Sequence, residues 1–245
     1  MRLFKPIDFF VPFDDNDAAK SLGARFNWKR KTWYAPNPDV AGSMAQRWKA
    51  KSNHQTDSVT TMLYFDTETD GIGGFRPPTQ RLVQLAWEYN DTQGDALIND
   101  VKSINPEVPH PHSVEDCASN GVHFEEAFAP FINALRQCDV AIAHNLDFDR
   151  GVLIHELTQR HLDASEFTSL MDAKGYCTMK NTVQLCKIPP RGNGRGYKWP
   201  RLEELYTHLT GEAPTLALHD AMNDVNVMRT CVHLLAERQL AGLAR

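Results

Sequence analysis

Four carboxylates and one histidine, spread over three separated segments, are the residues of this sequence best suited to chemistry: Asp66, Glu68, Asp149, His219 and Asp224. Asp66 and Glu68 follow the apolar run at residues 62–65 and are separated by a single residue. Residues two apart in a strand point to the same face, so these two carboxylates should lie side by side. Adjacent negative charges repel each other, and a divalent cation relieves that repulsion. The set therefore indicates metal-assisted hydrolysis of a phosphodiester.

Such hydrolysis needs an activated water molecule and a stabilised leaving oxygen, and two hard cations about 3.5–4 Å apart can supply both. Mg²⁺ prefers oxygen ligands and keeps some of its waters, so the four carboxylates are the predicted ligands of two Mg²⁺ ions. Mn²⁺ accepts the same ligands and should substitute. A neutral imidazole can take the proton of the attacking water at neutral pH, which makes His219 the candidate general base.

Each part of this set also has an ordinary structural interpretation. An isolated Asp-x-Glu after a strand is more often a solvated turn, and Asp149 alone could be a first-turn acid favoured by the helix dipole. Asp220 could cap a helix, a role that does not compete with catalysis by His219. His144 and Asn145 are predicted to shape the turn before Asp149. The other histidines show no metal-ligand spacing and are predicted to be surface or core residues: His110, His112, His123, His155, His161, His208 and His233.

The composition is typical of a soluble globular protein, with 245 residues of which 42% are hydrophobic and 23% are charged. No apolar run approaches the roughly 20 residues of a membrane span, and the first residues lack the apolar segment of a signal peptide. The five scattered cysteines include no Cys-x-x-Cys pair. That pattern predicts free thiols in a reducing compartment, without a zinc site or disulfides. We therefore expect a cytoplasmic protein with no membrane partner.

Charge is distributed unevenly along the chain. Residues 1–56 carry ten lysines and arginines against five acidic residues, whereas residues 57–245 carry sixteen against twenty-six. The basic start suggests a polyanionic partner. The acidic remainder suits a metal-dependent site, because bound cations offset its carboxylates.

Two domains are predicted, a small basic α+β domain at residues 1–52 and a larger α/β domain at residues 61–245. The polar residues 53–60 form the predicted linker between them. The small domain has a predicted strand at 7–11, a helix at 16–22 capped by Asp14 or Asp15 and ended by Gly23, and a hairpin or strand at 26–34 ended by Pro36 and Pro38.

In the larger domain, apolar alternation predicts strands at 62–65, 82–89, 97–104, 140–143 and 176–178. Helical periodicity predicts helices at 124–135, 149–162 and 202–209, and a last helix with Val225, Met228, Val232 and Leu235 on one face. Three strands followed by alternating helices and strands predict a mixed sheet.

Three segments resemble the exonuclease motifs of the DEDDh family: Asp-Thr-Glu-Thr-Asp-Gly at 66–71, Ala-His-Asn-Leu-Asp-Phe-Asp at 143–149 and His-Asp-Ala-Met-Asn-Asp at 219–224. The sequence looks most like the proofreading epsilon subunits of bacterial DNA polymerase III and their phage-type cousins, and residues 196–206 add to the likeness. The resemblance covers the whole larger domain. It implies an RNase H-like fold, with a five-stranded mixed sheet flanked by helices, and 3′→5′ removal of nucleoside 5′-monophosphates from nucleic acid, with DNA favoured.

The resemblance also implies which acids are ligands. In the family's second motif the ligand is the aspartate after the aromatic residue, which here is Asp149 after Phe148. Asp147 is an extra acid and is left out of the predicted ligand set. The spacing of His219 and Asp224 matches the histidine branch of the family.

Substrate contacts are expected from the motifs and from a basic, glycine-rich segment. Residues 174–201 hold seven lysines and arginines and no acid, and their cations can meet phosphates. The alternative is an ordinary solvated loop. A second glycine-rich loop, at residues 71–78, is a candidate for stacking the terminal base. The predicted substrate-binding residues are Thr67, Thr69, Asn145, Arg191, Arg195 and Lys198.

The small domain interleaves cations with aromatic residues: Arg25, Lys29, Arg30 and Lys31 with Phe26, Trp28, Trp33 and Tyr34. That mixture suits phosphate contact combined with base stacking. The alternative is a small core of aromatics with a charged rim, since so short a module needs several of them inside. This segment is similar to a short module appended to some DNA-processing proteins.

Two alternatives to a deoxyribonuclease stay open. An exoribonuclease of the same superfamily would carry the same motifs, because discrimination depends on contacts to the 2′-OH. A non-cleaving module that binds nucleic-acid ends is disfavoured by the complete set of acids. The expected partner is the 3′ end of single-stranded DNA, and a separate polymerase or another replication or repair protein is the candidate protein partner.

Overall fold

The computed structural model describes residues 7–29, 31–49, 61–71, 80–190, 192 and 194–241. The chain divides into two compact units, Met1–Val59 with His233–Arg245, and Thr60–Val232. The predicted linker and all but the first residue of the predicted loop at 71–78 lie outside the described residues. The boundaries predicted at 1–52, 53–60 and 61–245 stay a prediction.

The first unit contains a three-stranded antiparallel sheet in the order β1-β3-β2. Its elements are β1 (Ile7–Phe9), a 3₁₀ turn (Phe13–Asp15), α1 (Asn16–Ser21), β2 (Arg25–Asn27), β3 (Thr32–Ala35) and α2 (Pro38–Ala45). The predicted strand, helix and hairpin are therefore present, and Gly23 ends α1 in the left-handed region at φ 85°. Pro38 is predicted to end the preceding strand, but it begins α2. Asn37 caps that helix by accepting a hydrogen bond from the Val40 amide at 3.0 Å.

The aromatic residues of this unit divide between a core and a surface. Phe9, Trp33 and Trp48 are buried. Both buried indoles are satisfied, since Trp33 Nε1 donates to Asn16 Oδ1 at 2.6 Å and Trp48 Nε1 donates to Asp15 Oδ2 at 2.8 Å. The core interpretation is thus correct for Trp33, whereas Trp28 is 83% exposed.

The second unit is built on a five-stranded mixed sheet in the order β6-β5-β4-β7-β8. The strands are β4 (Met62–Thr69), β5 (Leu82–Tyr89), β6 (Thr92–Leu97), β7 (Val140–Ala143) and β8 (Gly175–Cys177). The pairs β4–β5 and β5–β6 are antiparallel, and the pairs β4–β7 and β7–β8 are parallel. The predicted mixed sheet is confirmed, and β4 lies at its centre.

Helices follow and flank the strands: α3 (Val114–Asn120), α4 (Phe124–Gln137), α5 (Leu146–Gln159), α6 (Ser165–Lys174), α7 (Thr178–Asn181), α8 (Val183–Cys186), α9 (Leu202–Thr210) and α10 (Ala221–Ala241). Phe65 and Leu63 of β4 pack with Phe131 of α4 and Leu153 of α5 in the main core. On α10, Val225 and Met228 are buried, as the predicted apolar face requires. Among the described residues, no helix is both long enough and apolar enough to cross a membrane.

The third strand of the sheet differs from its prediction. A strand was predicted at residues 97–104, but β6 spans Thr92–Leu97. This strand lies at the edge of the sheet and carries mainly polar, exposed side chains, so it has no apolar run to reveal it. A tight hairpin specifies it instead, with Asn90 in the left-handed region at φ 53°.

A fully buried carboxylate fixes α5 against the sheet. Glu156 accepts hydrogen bonds from the Leu82 amide at 2.9 Å and from Arg81 Nε at 2.7 Å. Arg160 Nε donates to its other oxygen at 3.0 Å. Burial of a carboxylate is tolerated only with such complete pairing, and loss of one partner typically costs about 3–5 kcal/mol.

Candidate active site

A cavity of about 640 Å³ in the second unit brings together all five predicted catalytic side chains. Its lining includes Asp66 and Glu68 from β4, Asp149 from α5, His219 from the segment before α10, and Asp224 from α10. Three segments far apart in sequence therefore converge on one space, as the motifs predict.

The arrangement of Asp66 and Glu68 follows from the pleat of β4. Leu63, Phe65 and Thr67 are buried, whereas Asp66 and Glu68 alternate with them and are partly exposed. The strand continues to Thr69, so the two acids lie within it instead of following its end at residue 65. Pairing with β5 opposite both residues holds the two carboxylates in place, and the register of that pairing shifts only after Glu68.

Asp149 lies in the first turn of α5 and is nearly inaccessible, at 2% exposure. Its Oδ1 atom accepts hydrogen bonds from the Thr67 amide at 3.1 Å and from Thr67 Oγ1 at 2.8 Å. The residue between the two acids of β4 thus orients the third acid. Helix α5 starts at Leu146, three residues earlier than predicted, and Asn145 before it adopts a left-handed conformation with φ 72° and ψ 45°.

His219 and Asp224 close the site. One ligand atom from each of Glu68, His219 and Asp224 lies within 4.8 Å of the others. The backbone of His219 is left-handed at φ 69°, an uncommon state for a residue with a side chain. Its amide donates to Asp224 Oδ1 at 3.4 Å, and its side chain is exposed at the mouth of the cavity.

The electrostatics of the cavity favour bound cations. Burial first, and then the charges of Asp149, Asp224 and Glu68, raise the pKa of Asp66 well above its usual range. Burial followed by the charge of Asp224 raises the pKa of Glu68 to about 8, and burial raises the pKa values of Asp149 and Asp224 to about 7. Buried acids that repel one another gain from a bound divalent cation, and their carboxylate oxygens are donors that hard cations accept.

Gln84, a residue outside the predicted site, anchors the start of α10. Gln84 lies opposite Glu68 on β5 and is buried. Its Oε1 atom accepts from the Ala221 amide and from His112 Nε2, both at 2.9 Å. Its Nε2 atom donates to Asp95 at 2.8 Å. The apolar residues around Gln84 predict the strand correctly. The one signal of a polar role in the sequence is that a glutamine interrupts this apolar run.

Asp220 carries the capping role that its position suggested. The Asn223 amide donates to Asp220 Oδ1 at 3.0 Å, and Gln84 Nε2 lies 3.4 Å from Asp220 Oδ2. The cap and Gln84 together fix the backbone between His219 and Asp224.

His144 secures one wall of the cavity. Its Nδ1 atom lies 2.8 Å from Thr178 Oγ1, and its Nε2 atom lies 3.0 Å from the Pro200 carbonyl oxygen. Burial lowers the pKa of His144 to about 4, so the ring is neutral. This structural role agrees with the prediction. The secured segment contributes Trp199 and Arg201, which both line the cavity and were not among the predicted substrate residues.

The predicted substrate-binding residues fall into different positions. Thr67 and Asn145 line the cavity, although the Thr67 hydroxyl is engaged with Asp149. Thr69 is buried, and its hydroxyl donates to the Gly71 carbonyl at 3.1 Å.

The predicted contacts of the basic segment that the structure describes lie outside the cavity lining. Lys198 forms an ion pair with Glu204 at 2.5 Å, and Arg195 is exposed. Arg191 lies outside the described residues. Asp147, left out of the ligand set, pairs with Lys180 at 2.5 Å.

Comparison with known proteins bears on the two units separately. Residues 7–49 match a family described as "Domain of unknown function (DUF5710)". No curated protein matches the chain.

Solved structures of E. coli exonuclease I are similar to this chain. In complex with a 5cy-dT13 oligonucleotide, that protein gives a TM-score of 0.54 at 20% identity over 76% of this chain and 42% of the other. The zinc-bound complex with single-stranded DNA gives 0.55 at 22% identity over 74% and 41%. The dA16 complex gives 0.55 at 22% identity over 74% and 42%.

These similarities establish the fold of the larger unit as an RNase H-like exonuclease fold, which confirms the predicted fold class. The chain spans less than half of the length of these structures. The structures cited are of exonuclease I, so the more specific likeness to the epsilon subunit stays a prediction.

Proposed function

We propose that this chain is a divalent-metal-dependent 3′→5′ exonuclease that removes nucleoside 5′-monophosphates from nucleic acid, with single-stranded DNA as the favoured substrate. The observation that carries the proposal is the convergence of four carboxylates and a histidine on one cavity. Its support from outside this chain is a fold shared with an exonuclease solved with single-stranded DNA. The polarity of cleavage comes from the motif resemblance.

The carboxylates of Asp66, Glu68, Asp149 and Asp224 would hold the metal ions. Divalent ions bound there supply an activated water and neutralise charge that develops on the departing oxygen. Mg²⁺ is the proposed ion, and Mn²⁺ should replace it. The bond from Thr67 keeps Asp149 aimed at the cavity in the absence of substrate.

His219 is the proposed general base. The water oxygen attacks phosphorus, the water proton passes to the imidazole of His219, and the bond from phosphorus to the 3′ oxygen breaks. The departing 3′ oxygen takes a proton from solvent. The products are a nucleoside 5′-monophosphate and a strand with a new 3′ hydroxyl. His219 is exposed at the mouth of the cavity, where a ring nitrogen can reach water and substrate.

Trp199 and Arg201 are the proposed substrate contacts at the cavity wall. Trp199 is 52% exposed and lines the cavity, so its ring suits stacking of the terminal base. Arg201 is exposed beside it and suits a phosphate oxygen.

The direct test is cleavage of end-labelled oligonucleotides with Mg²⁺ and with EDTA. A 5′-labelled single strand should shorten step by step from its 3′ end with Mg²⁺ and stay intact with EDTA. Asp66→Ala, Asp224→Ala and Asp149→Asn should each lower the rate by about a thousandfold, since each removes several kcal/mol of transition-state stabilisation.

Asp147→Asn is the matched control for Asp149→Asn. Both residues lie in the first turn of α5, but Asp147 is exposed and outside the cavity lining. Full activity in the Asp149→Asn variant would refute the site. Faster shortening of RNA than of DNA would identify an exoribonuclease, and retention without shortening would identify a binding module.

A further inference from the structure

The described part of the first unit contains a cavity of about 680 Å³, within the range of small-ligand pockets. Its lining includes Phe10, Phe13 and Trp28 together with Lys20 and Lys31. These residues lie within the segment that matches a family of unknown function, and the proposed exonuclease site makes no use of them.

Three of the aromatic residues that line this pocket are exposed, whereas other aromatic residues of the same unit are buried in its core. Phe13 is 87% exposed, Trp28 is 83% exposed and Phe10 is 56% exposed. Clustered exposed apolar side chains mark binding sites more often than chance surface positions. The Trp28 ring meets the edge of Phe26 at 5.0 Å between centroids, and Phe26 meets the buried Trp33 at 5.4 Å. A continuous series of rings thus supports the exposed indole from the core.

The charged residues of the pocket are of one sign. Lys20 and Lys31 line it, and none of its described lining residues is acidic. Asp17 lies beside it and pairs with Lys20 at 3.3 Å between two exposed side chains, a contact that contributes little. Flat aromatic faces next to lysines are complementary to a base and its phosphate.

We infer that this aromatic pocket binds single-stranded nucleic acid, with a base stacked on Trp28 or Phe13 and phosphates held by Lys20 and Lys31. A single strand suits the pocket better than a duplex, because the internal bases of a duplex are covered on both faces by their neighbours. The choice of nucleic acid over other ligands that are flat and anionic rests on the proposed function of the larger unit. The pocket would then add a second point of attachment for the strand.

The test uses the full chain with EDTA, so that no cleavage occurs, and fluorescence anisotropy of a labelled thymidine oligonucleotide. Trp28→Ala should weaken binding about tenfold, and Phe13→Ala should weaken it severalfold. Both residues are exposed, so the core is not disturbed. Trp28→Phe keeps a stacking face and should retain most of the affinity.

Two matched comparisons separate stacking from charge. An oligonucleotide with abasic sites has the same phosphates, and Trp28→Ala should not weaken its binding further. Lys31→Gln should weaken binding of the normal oligonucleotide, whereas Arg47→Gln, an exposed charge outside the pocket lining, should have a smaller effect.

Hydrolysis of a dinucleotide with Mg²⁺ distinguishes failure of this inference from failure of the proposed function. Trp28→Ala should leave that hydrolysis unchanged. If the parent protein shows no nuclease activity and Trp28→Ala loses binding, the pocket is supported and the proposed enzyme activity is refuted. Unchanged affinity in Trp28→Ala and Lys31→Gln would refute the pocket. It would also be refuted if sedimentation showed that Trp28→Ala acts only by converting a dimer to monomers.

Discussion

The acidic cavity of the larger unit and the aromatic pocket of the smaller unit are similar in volume, at about 640 and 680 Å³, but their side chains differ in kind. The acidic cavity gathers carboxylates on a strand and two helices, where burial raises their pKa values. The aromatic pocket gathers exposed rings and lysines. The acidic cavity suits tight binding of cations, and the aromatic pocket suits a flexible anionic chain.

The two sites differ in how clearly their residues indicate a function and not a contribution to folding. Buried acids cost free energy, so a cluster of them has few explanations other than a ligand that neutralises it. Aromatic residues stabilise any core, so their presence in a sequence says little about binding. Only the observed exposure of Trp28 beside the buried Trp33 separates the two roles.

The largest loss of turnover that would separate the acidic cavity from the aromatic pocket is expected at His219. Asparagine tolerates the left-handed backbone that His219 adopts, so His219→Asn removes the base without adding strain. We expect turnover to fall by about 10²–10⁴-fold, the usual contribution of a general base. Initial rates on a labelled oligonucleotide measure this loss.

Two further readouts define the role of His219. The increase in melting temperature on adding Mg²⁺ should persist in His219→Asn, because the four carboxylates remain. Anisotropy with EDTA should show that binding at the aromatic pocket is unaltered. A variant that turns over as fast as the parent would show that another group accepts the proton.

Gln84→Met should have the next largest effect. The change keeps the side-chain volume but removes the hydrogen bonds to Ala221, His112 and Asp95. Each buried group left without a partner costs about 1–3 kcal/mol, so the start of α10 should loosen and turnover should fall about tenfold. Rates and thermal melts of Gln93→Met, an exposed glutamine on β6, provide the control. Equal behaviour of the two variants would exclude a positioning role.

A smaller effect should separate Arg201 from Lys198. Arg201→Gln should raise the KM for single-stranded DNA severalfold, because Arg201 lines the acidic cavity. Lys198→Gln should change KM little, since its ammonium is engaged by Glu204. Steady-state kinetics of the two variants measure the contrast, and the opposite order would support the sequence-based choice of Lys198.

The last prediction concerns the stability of the chain without cations and not its turnover. The pKa values of about 8 for Glu68 and about 7 for Asp149 and Asp224 mean that the folded chain holds protons that the unfolded chain releases above about pH 4. Stability should therefore fall as pH rises from about 5 to about 8 in EDTA, and Mg²⁺ should reduce the fall by binding the ionised acids.

Thermal melts across that pH range measure this dependence. Asp224→Asn should make the fall shallower, because one acid no longer ionises, whereas Trp28→Ala should keep the slope of the parent. An identical slope in Asp224→Asn would mean that the acids of the cavity do not control the stability.

The sequence predicted the parts of the molecule in which chemistry and pattern coincide. The apolar strand at 82–89 and the convergence of Asp66, Asp149 and Asp224 are both present, because apolar alternation and rare acid spacing are local signals. Strand β6 was missed because its pairing is set by a hairpin and a neighbouring strand. The contacts of Gln84 and the position of Trp199 in the cavity wall were missed because both depend on residues distant in sequence.

Helix α5 is tied to the sheet at two points, through Asp149 to Thr67 and through Glu156 to Leu82. The helix cannot slide along its axis without breaking both attachments. Asp149 is therefore a stationary oxygen donor, whereas Asp224 sits on a separate helix and Glu68 is a longer side chain. Mg²⁺ requires oxygens at about 2.0–2.1 Å and Ca²⁺ accepts about 2.3–2.6 Å. A cation bound as proposed would have to match the fixed position of Asp149, because α5 could not move to suit it.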